Sequence, residues 1–278
     1  MIGCMILSFH PLFRGDINIL CAGREPGCEE LAAIRSAAAV ILAQGCPRRL
    51  YEMAKANCRL VFPSYDARFR FPGKTGQIRL FRESDTPHPA TEIYDGILDF
   101  RNRSPFSPSF PFPLVFKFDW GGEGDTVFLL QNQNDLDELL EHAERCERSG
   151  QRGFLLQQFV NCGGRSLRVV VIGRRLISYW RVGEHPGTFK ASLSGGARVD
   201  TDSDPGLREA AEHLVAGFCR DTGINLAGLD VIYPADDISP TPLMLEITTF
   251  SGGSGWADRR PTTNCSWMKS AAGSRALE

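Results

Sequence analysis

The sequence lacks a long apolar run, an excess of charge of either sign and a closely spaced pair of cysteines. No stretch approaches the roughly 18 apolar residues of a membrane-spanning helix, so we expect no membrane segment. The 31 Lys and Arg residues nearly balance the 33 Asp and Glu residues. This balance gives no indication of nucleic acid or a charged membrane surface as a partner. Residues 1–13 carry no basic segment, so no signal peptide is expected.

The nine cysteines are odd in number and widely spaced. Structural zinc sites and disulfide frameworks show closer, paired spacing, so neither is expected here. We interpret the cysteines as the reduced thiols of a cytoplasmic protein. A catalytic cysteine stays open as an alternative, although no feature of the sequence selects one.

Short apolar runs alternate with helical patterns over the first 70 residues. Residues 17–21 and 60–62 are typical of buried strands, and residues 29–43 are rich in Ala and other helix formers. Residues 39–42 fit either the end of that helix or a separate strand, because short apolar runs are ambiguous. The alternation predicts an α/β fold class with a small N-terminal parallel α/β domain over residues 1–70.

Strands and helices are also predicted further along the chain. The apolar runs that we interpret as strands are 114–118, 126–130, 154–160, 168–172, 176–182, 228–233 and 243–247. Three segments have helical spacing: one that begins at residue 76, one over residues 136–148 and one over residues 207–222. A β-hairpin is expected around Gly173-Arg174-Arg175.

A lysine inside an apolar strand is the strongest local feature. Lys117 is followed at once by the glycine-rich loop Asp119-Trp120-Gly121-Gly122-Glu123-Gly124. Burial of an ammonium group is costly unless the group meets an anion, and a glycine loop lets backbone N–H groups approach phosphate oxygens. The alternative is a lysine whose ammonium reaches solvent before an ordinary hairpin turn. The loop does not match the Walker A motif.

Two acidic residues occur in predicted strands that we expect to face each other. Asp230 lies in Gly-Leu-Asp-Val-Ile and Glu246 in Met-Leu-Glu-Ile. Two carboxylates among apolar residues need a counter-charge, and Mg²⁺ bound to nucleotide phosphates would supply one. The alternative is that each carboxylate faces solvent.

These features follow one another in an order that resembles the ATP-grasp superfamily. The parts in order are Lys74 in FPGKTGQ, Lys117 with its glycine loop, Gln157-Gln158-Phe159-Val160, Gly163-Gly164-Arg165-Ser166-Leu167-Arg168, Phe189-Lys190-Ala191-Ser192-Leu193-Ser194-Gly195-Gly196, Asp230 and Glu246. The resemblance is closest to RimK-type ligases, with glutathione synthetases as more distant relatives. It implies two α+β lobes over residues 71–250 that hold ATP between them, and a pre-grasp domain over residues 1–70.

The resemblance also assigns roles to individual residues. Those implied to bind ATP are Lys74, Lys117, Gly121, Gly122, Gly124, Gln158, Phe159, Val160, Ser166 and Lys190. The lysines would contact phosphates, the glycine loop would close over them, and the backbone of 158–160 would contact adenine. Asp230 and Glu246 would bind magnesium, and Arg168 and Arg181 would face the transferred phosphate and the acceptor as catalytic groups.

The implied activity is that of an ATP-dependent carboxylate–amine ligase that acts through an acylphosphate. The implied cofactors are ATP and Mg²⁺, with two ions bound and Mn²⁺ as an expected substitute. An amino acid, a peptide or a protein tail would be the substrate, with neither nucleic acid nor a membrane as partner.

Three positions depart from the family's pattern. Gln158 stands where an acid is usual, and Ser166 stands where an aspartate often contacts ribose. The closing motif, usually Glu-x-Asn, reads Glu246-Ile247-Thr248, and a threonine hydroxyl is a poorer magnesium ligand than an amide oxygen. A nucleotide-binding, degenerate ATP-grasp protein without ligase activity is therefore the alternative function.

The segment after Glu246 shows neither helical nor strand periodicity. A one-base insertion before codons for Thr248-Thr249-Phe250 can give Asn-Tyr-Phe, which restores Glu-Ile-Asn. We therefore interpret residues from about 248 onward as translated from a shifted reading frame. The prediction for residues 251–278 is an aberrant, irregular C-terminal tail.

Overall fold

The computed structural model of the chain describes residues 5–21, 24–103, 109–121, 125–185, 189 and 196–248. Its helices are α1 Cys28–Ser36, α2 Arg48–Asn57, α3 Asp66–Arg70, α4 Gly73–Glu83, α5 Ile97–Arg103, α6 Gln133–Arg148 and α7 Pro205–Thr222. Its strands are β1 Ile6–Ser8, β2 Ile17–Asn18, β3 Ala39–Ile41, β4 Val61–Phe62, β5 Thr91–Tyr94, β6 Leu114–Phe118, β7 Val127–Leu130, β8 Phe154–Gln158, β9 Arg165–Ile172, β10 Arg175–Val182, β11 Arg198–Asp200, β12 Leu226–Ile232 and β13 Leu243–Thr248. The predicted tail, residues 251–278, lies outside the described residues.

The first of two compact units contains the residues up to Asp66 together with Ile224–Leu226. Its sheet has the order β2-β1-β3-β4, and the three pairings are parallel. Helices α1 and α2 lie in sequence between β2 and β3 and between β3 and β4, since parallel neighbours need a crossover connection. The alternating strands and helices of the sequence therefore form a parallel α/β sheet.

The ambiguous segment at residues 39–42 is a strand. Helix α1 ends at Ser36, and Ala39–Ile41 forms β3 between β1 and β4. Val40 and Leu42 are fully buried, and β-branched residues favour such a central strand. Strand β1, at Ile6–Ser8, was not predicted from the sequence, although Ile6 and Leu7 give a short apolar signal there.

The second unit consists of residues Ala67–Gly223 and Ala227–Thr248 and contains two sheets. One is antiparallel, with the order β5-β8-β6-β7. Helices α5 and α6 contribute apolar residues to the same core as its strands. In that core the Phe116 and Phe154 rings stack with their centroids 4.8 Å apart. Helix α5 was not predicted, although Ile97 and Phe100 have the i, i+3 spacing of a buried helix face.

The second sheet of this unit has the order β11-β10-β9-β12-β13. The predicted hairpin is confirmed: β9 and β10 pair antiparallel around Gly173-Arg174, and Gly173 has a φ of +63° that favours glycine. Helix α7 lies against β9 and β10 and buries Ala211, Val215 and Phe218. Of the helices that the structure describes, none is both long and apolar enough to cross a membrane.

Leu156→Ala tests the core of the β5-β8-β6-β7 sheet. Leu156 is fully buried, so its truncation leaves a cavity and should lower the free energy of unfolding by about 2–5 kcal/mol. Leu98→Ala is the matched control, because Leu98 is 68% exposed and should change stability by only about 0.5 kcal/mol. Denaturant unfolding measures both, and equal losses in the two variants would contradict this packing.

Candidate functional site

Strand β6 carries Lys117 into the interior of the second unit. The residue is 7% exposed, and its register neighbours are Val127 on β7 and Leu155 on β8. Burial lowers the pKa of its ammonium group to about 8, while the field of Glu246 opposes this effect and that of Lys74 adds to it. The solvent-reaching alternative for this lysine is therefore wrong.

Lys74 enters the same region from the first turn of α4. Its Nζ donates to the carbonyl oxygens of Trp120, at 3.2 Å, and Gly121, at 3.0 Å. Burial lowers the pKa of Lys74, and the fields of Glu246 and Asp119 partly offset that effect. The predicted loop thus begins with backbone oxygens that hold the lysine. Gly122 and Gly124 lie outside the described residues.

Asp119 fixes the N-terminus of α4, a role that sequence reasoning missed. Its Oδ1 accepts a hydrogen bond of 2.7 Å from the backbone N–H of Thr75, one of the donors left free at a helix start. Gly73 has a φ of +72°, and a Cβ at this position would overlap the Asp119 carboxylate. The only sequence signal was the place of Asp119 directly after the strand that carries Lys117.

Asp230 and Glu246 face each other across the antiparallel pair β12–β13, as predicted. Between them and the next pair, Val231 and Met244, the register shifts so that Leu245 is the extra residue of a β-bulge. Asp230 is buried at 5% exposure, whereas Glu246 is half-buried. Bulges redirect neighbouring side chains and are frequent beside functional sites.

Two arginines surround the Asp230 carboxylate. Arg168 Nε lies 2.7 Å and Arg181 Nη2 lies 2.6 Å from Asp230 Oδ1, and Arg168 Nη2 donates to Oδ2 at 3.2 Å. Arg181 also donates to the hydroxyl of Ser166 at 3.1 Å. A Cβ on Gly228 would overlap the Arg168 guanidinium, so this glycine makes room for the ion pair.

The short contacts to Asp230 Oδ1 lack hydrogen-bond alignment. Among the described residues, Asp230 Oδ1, Arg168 Nε and Arg181 Nε are buried and have no hydrogen-bond partner. A buried carboxylate oxygen without a hydrogen-bond partner, opposite a second carboxylate, is a suitable ligand for a hard cation such as Mg²⁺. Within the described ranges no group of three or more His, Cys, Asp or Glu could hold a metal ion.

The two lysines and Glu246 converge on one small cavity. Its volume is about 10 Å³, the room of about one water molecule. The residues that line it are Lys74, Gln77, Ile78, Lys117, Leu155, Leu245 and Glu246. Two cations and one carboxylate therefore lie around one small space, beside Ile78, Leu155 and Leu245.

The remaining predicted residues lie at the end of β8 and beyond. Gln158 is exposed, and its backbone N–H donates to the Ala90 carbonyl at 2.8 Å. Phe159 and Val160 are half-buried, and the Phe159 ring lies 6.2 Å from that of Phe189. Lys190 lies outside the described residues.

Comparison with known proteins defines the class to which this arrangement belongs. Residues 83–257, more than half of the chain, match the family model of the RimK-like ATP-grasp domain. The chain therefore belongs to the RimK-like ATP-grasp family. Lys74 lies before the matched residues.

Relatives and solved structures agree with this family. The chain is 30% identical over 146 residues to a probable alpha-L-glutamate ligase of Sodalis glossinidius and 27% identical over 144 residues to probable alpha-L-glutamate ligase 2 of Hahella chejuensis. These matches cover 51% of this chain and 44–45% of the relatives, so the chain spans less than half of their length. The fold is similar to a RimK domain ATP-grasp protein from Sphaerobacter thermophilus, with a TM-score of 0.58, 19% identity and coverage of 87% and 89% of the two chains.

Lys117→Met tests the burial of the lysine charge. The folded-state pKa of about 8 lies below the ordinary 10.5, so folding disfavours the ammonium, and this cost is present at pH 7 and relieved as pH rises from about 8 towards 10.5. Lys117→Met should be more stable than the wild type by about 3 kcal/mol at pH 7. The advantage should shrink by pH 10. Denaturant unfolding at both pH values measures it, and a pH-independent difference would contradict the assignment.

Proposed function

We propose that the protein is an ATP- and Mg²⁺-dependent carboxylate–amine ligase that acts through an acylphosphate. The observation that carries this proposal is the grouping of Lys74, Lys117 and Glu246 around one small space, with Asp230 opposite Glu246. Cations and carboxylates in this arrangement suit a magnesium-bound polyphosphate. Membership of the RimK-like ATP-grasp family supports the same function.

The two lysines supply positive charge that nearby carboxylates offset only in part. Within the described residues neither lysine forms an ion pair with a carboxylate, and Lys74 donates only to carbonyl and hydroxyl oxygens. Phosphate oxygens would restore the full charge of both groups, because an adjacent anion raises the pKa of a buried lysine. We therefore assign Lys74 and Lys117 to the phosphates of ATP.

Asp230 and Glu246 are the residues that would hold the metal. A bound Mg²⁺ would neutralise charge on the phosphates during transfer. Arg168 and Arg181 would offer N–H donors to the phosphoryl oxygens and to the carboxylate substrate, as the family pattern implies. Their place beside Asp230 puts both guanidinium groups next to the proposed metal site.

The nucleoside would lie beyond the end of β8. We assign the backbone of Gln158, Phe159 and Val160 to adenine and the Ser166 hydroxyl to ribose. The assignment of Gly121, Gly122, Gly124 and Lys190 to the phosphates follows from the family pattern. Residues 71–250 would form the ATP-grasp domain and residues 1–70 the pre-grasp domain.

The proposed reaction has two steps. A substrate carboxylate oxygen attacks the γ-phosphorus of ATP, which forms the acylphosphate and releases ADP. A neutral amine then attacks the acyl carbon and the C–O bond to phosphate breaks, so that an amide bond forms, inorganic phosphate leaves and the proton lost from nitrogen passes to solvent. Exclusion of water around the cavity would protect the acylphosphate from hydrolysis.

The relatives support a proposal for the substrate class. Proteins named glutamate ligases are the relatives that this chain matches, and we propose glutamate as the amine substrate and a peptide or protein carboxylate as the acceptor. Thr248 in place of the usual asparagine favours a second candidate, a nucleotide-binding protein without ligase activity.

ADP release tests the proposed function. Wild-type protein with ATP and Mg²⁺ should release ADP in the presence of glutamate and an acidic peptide, and EDTA should abolish the release. Lys117→Met should weaken ATP binding by about 1.5–3 kcal/mol, the cost of one charge-assisted contact. Lys55→Met is the matched control, since Lys55 is 55% exposed and pairs with Asp66.

The two candidate functions differ in the product. Mg²⁺-dependent ATP binding without ADP release across a panel of amino acids and peptides would favour the degenerate protein. No binding of Mg²⁺-ATP would contradict both.

Thr248→Asn tests the altered metal motif. Thr248 lies on the same strand face as Glu246, because side chains two residues apart in a strand point to one side, and it is paired with Gly228, which has no side chain. An asparagine amide oxygen should strengthen Mg²⁺-dependent ATP binding and raise turnover, roughly tenfold if it acts as a ligand. Thr201→Asn, at an exposed residue, is the control.

The coding sequence tests the frame shift: codons that cannot give Asn-Tyr-Phe after a one-base insertion would contradict it.

A further inference from the structure

Gln77 makes a contact that the proposed chemistry does not use. It lies on α4 three residues after Lys74, so both side chains belong to one helix face. Its Nε2 donates to the Ile247 carbonyl oxygen and its Oε1 accepts from the Ile247 N–H, both at 2.9 Å. One side-chain amide therefore satisfies both backbone groups of a single residue.

The Gln77 amide binds backbone groups of β13 that a neighbouring strand would otherwise pair with. β13 is the edge strand of its sheet, with β12 on its one paired side among the described residues. Backbone groups on an open edge are unpaired unless a side chain or another chain covers them. Because the Ile247 N–H needs an acceptor and its carbonyl needs a donor, the orientation of the Gln77 amide is uniquely defined.

Ile247, whose backbone the Gln77 amide binds, lies between Glu246 and Thr248, the two positions of the family's metal-binding motif. Ile247 buries its side chain at 8% exposure, so Glu246 and Thr248 both point to the opposite face. On the other side of Glu246 the β-bulge at Leu245 interrupts the ladder to β12. A bulge leaves its residue unpaired and bends the strand, so the ladder is interrupted on one side of Glu246, and the Gln77 contact adds support on the other side, at Ile247.

We propose that Gln77 is a positioning residue that fixes the direction of the Glu246 carboxylate for magnesium. The amide holds the backbone of Ile247, the backbone sets the orientation of Glu246, and the same helix presents Lys74 to the cavity that Gln77 and Glu246 line. The distance between the phosphate-binding lysine and the metal-binding carboxylate is thereby set by one helix–strand contact. The metal part of this inference rests on the proposed function.

The test measures how much Mg²⁺ strengthens ATP binding. Gln77→Met keeps the length of the side chain and removes both hydrogen bonds, and Gln77→Asn keeps the amide but is too short to make both. The dissociation constant of ATP is measured calorimetrically with EDTA and with saturating Mg²⁺. Gln133→Met is the matched control, because the Gln133 side chain donates an exposed hydrogen bond to Asp137 within α6.

Both Gln77 variants should lose about tenfold of the gain in ATP affinity that Mg²⁺ gives the wild type, the usual effect of removing a group that orients a metal ligand. Their affinity in EDTA should stay near that of the wild type, because Lys74 and Lys117 are intact. Amide hydrogen exchange at Ile247 should accelerate in both variants without nucleotide or metal. The control should resemble the wild type in all three measurements.

Failure of the inference and failure of the proposed function are distinguishable. Faster exchange at Ile247 with an unchanged Mg²⁺ effect would overturn the positioning role and leave Gln77 as a structural contact. An equal loss of ATP affinity in EDTA and in Mg²⁺ would also overturn the positioning role, because such a loss would indicate that α4, with Lys74, had moved. If the ATP affinity of the wild type is the same in EDTA and in Mg²⁺, both the proposed function and this inference are overturned.

Discussion

Burial of charge is the constraint on which the second unit depends. Lys74 and Lys117 are both buried, and their mutual repulsion adds to the cost of desolvating Lys117. The field of Glu246 reduces this cost for both lysines. Asp230 is buried as well, and it persists there beside Arg168 and Arg181, because an isolated buried carboxylate would be far more costly. The proposed function gives this costly arrangement a reason, because an anionic ligand would offset the burial of both cations.

The charged groups are held by contacts that carry little chemistry themselves. Asp119 caps the helix that presents Lys74, and Gly73 leaves room for that carboxylate. Gly228 likewise leaves room for Arg168. Gln77 pairs with the backbone next to Glu246. Such supporting contacts are as necessary as the charged groups, since a site misplaced by about 1 Å loses much of its catalytic effect.

The family explains the order of the site residues, and the chain departs from it at its metal motif. Glu246 retains the position opposite Asp230, whereas Thr248 offers a hydroxyl where an amide is usual. A weaker third ligand would make the orientation of Glu246 more important for binding the ion. The altered motif and the Gln77 contact therefore bear on the same property, the strength of the proposed magnesium site.

The sequence by itself determined the alternation of strands and helices, the β9–β10 hairpin, and the pairing of Asp230 with Glu246. Periodicity and turn chemistry are local, so they can be read from neighbouring residues. Only the tertiary structure decided that residues 39–41 form a strand, because a short apolar run takes its form from the sheet it joins. The tertiary structure also decided the burial of Lys117, the contact of Asp119 with the start of α4 and the hydrogen bonds between Gln77 and Ile247. Gln77 and Ile247 are 170 residues apart in the chain, and no local pattern encodes a contact that exists only once α4 lies beside β13.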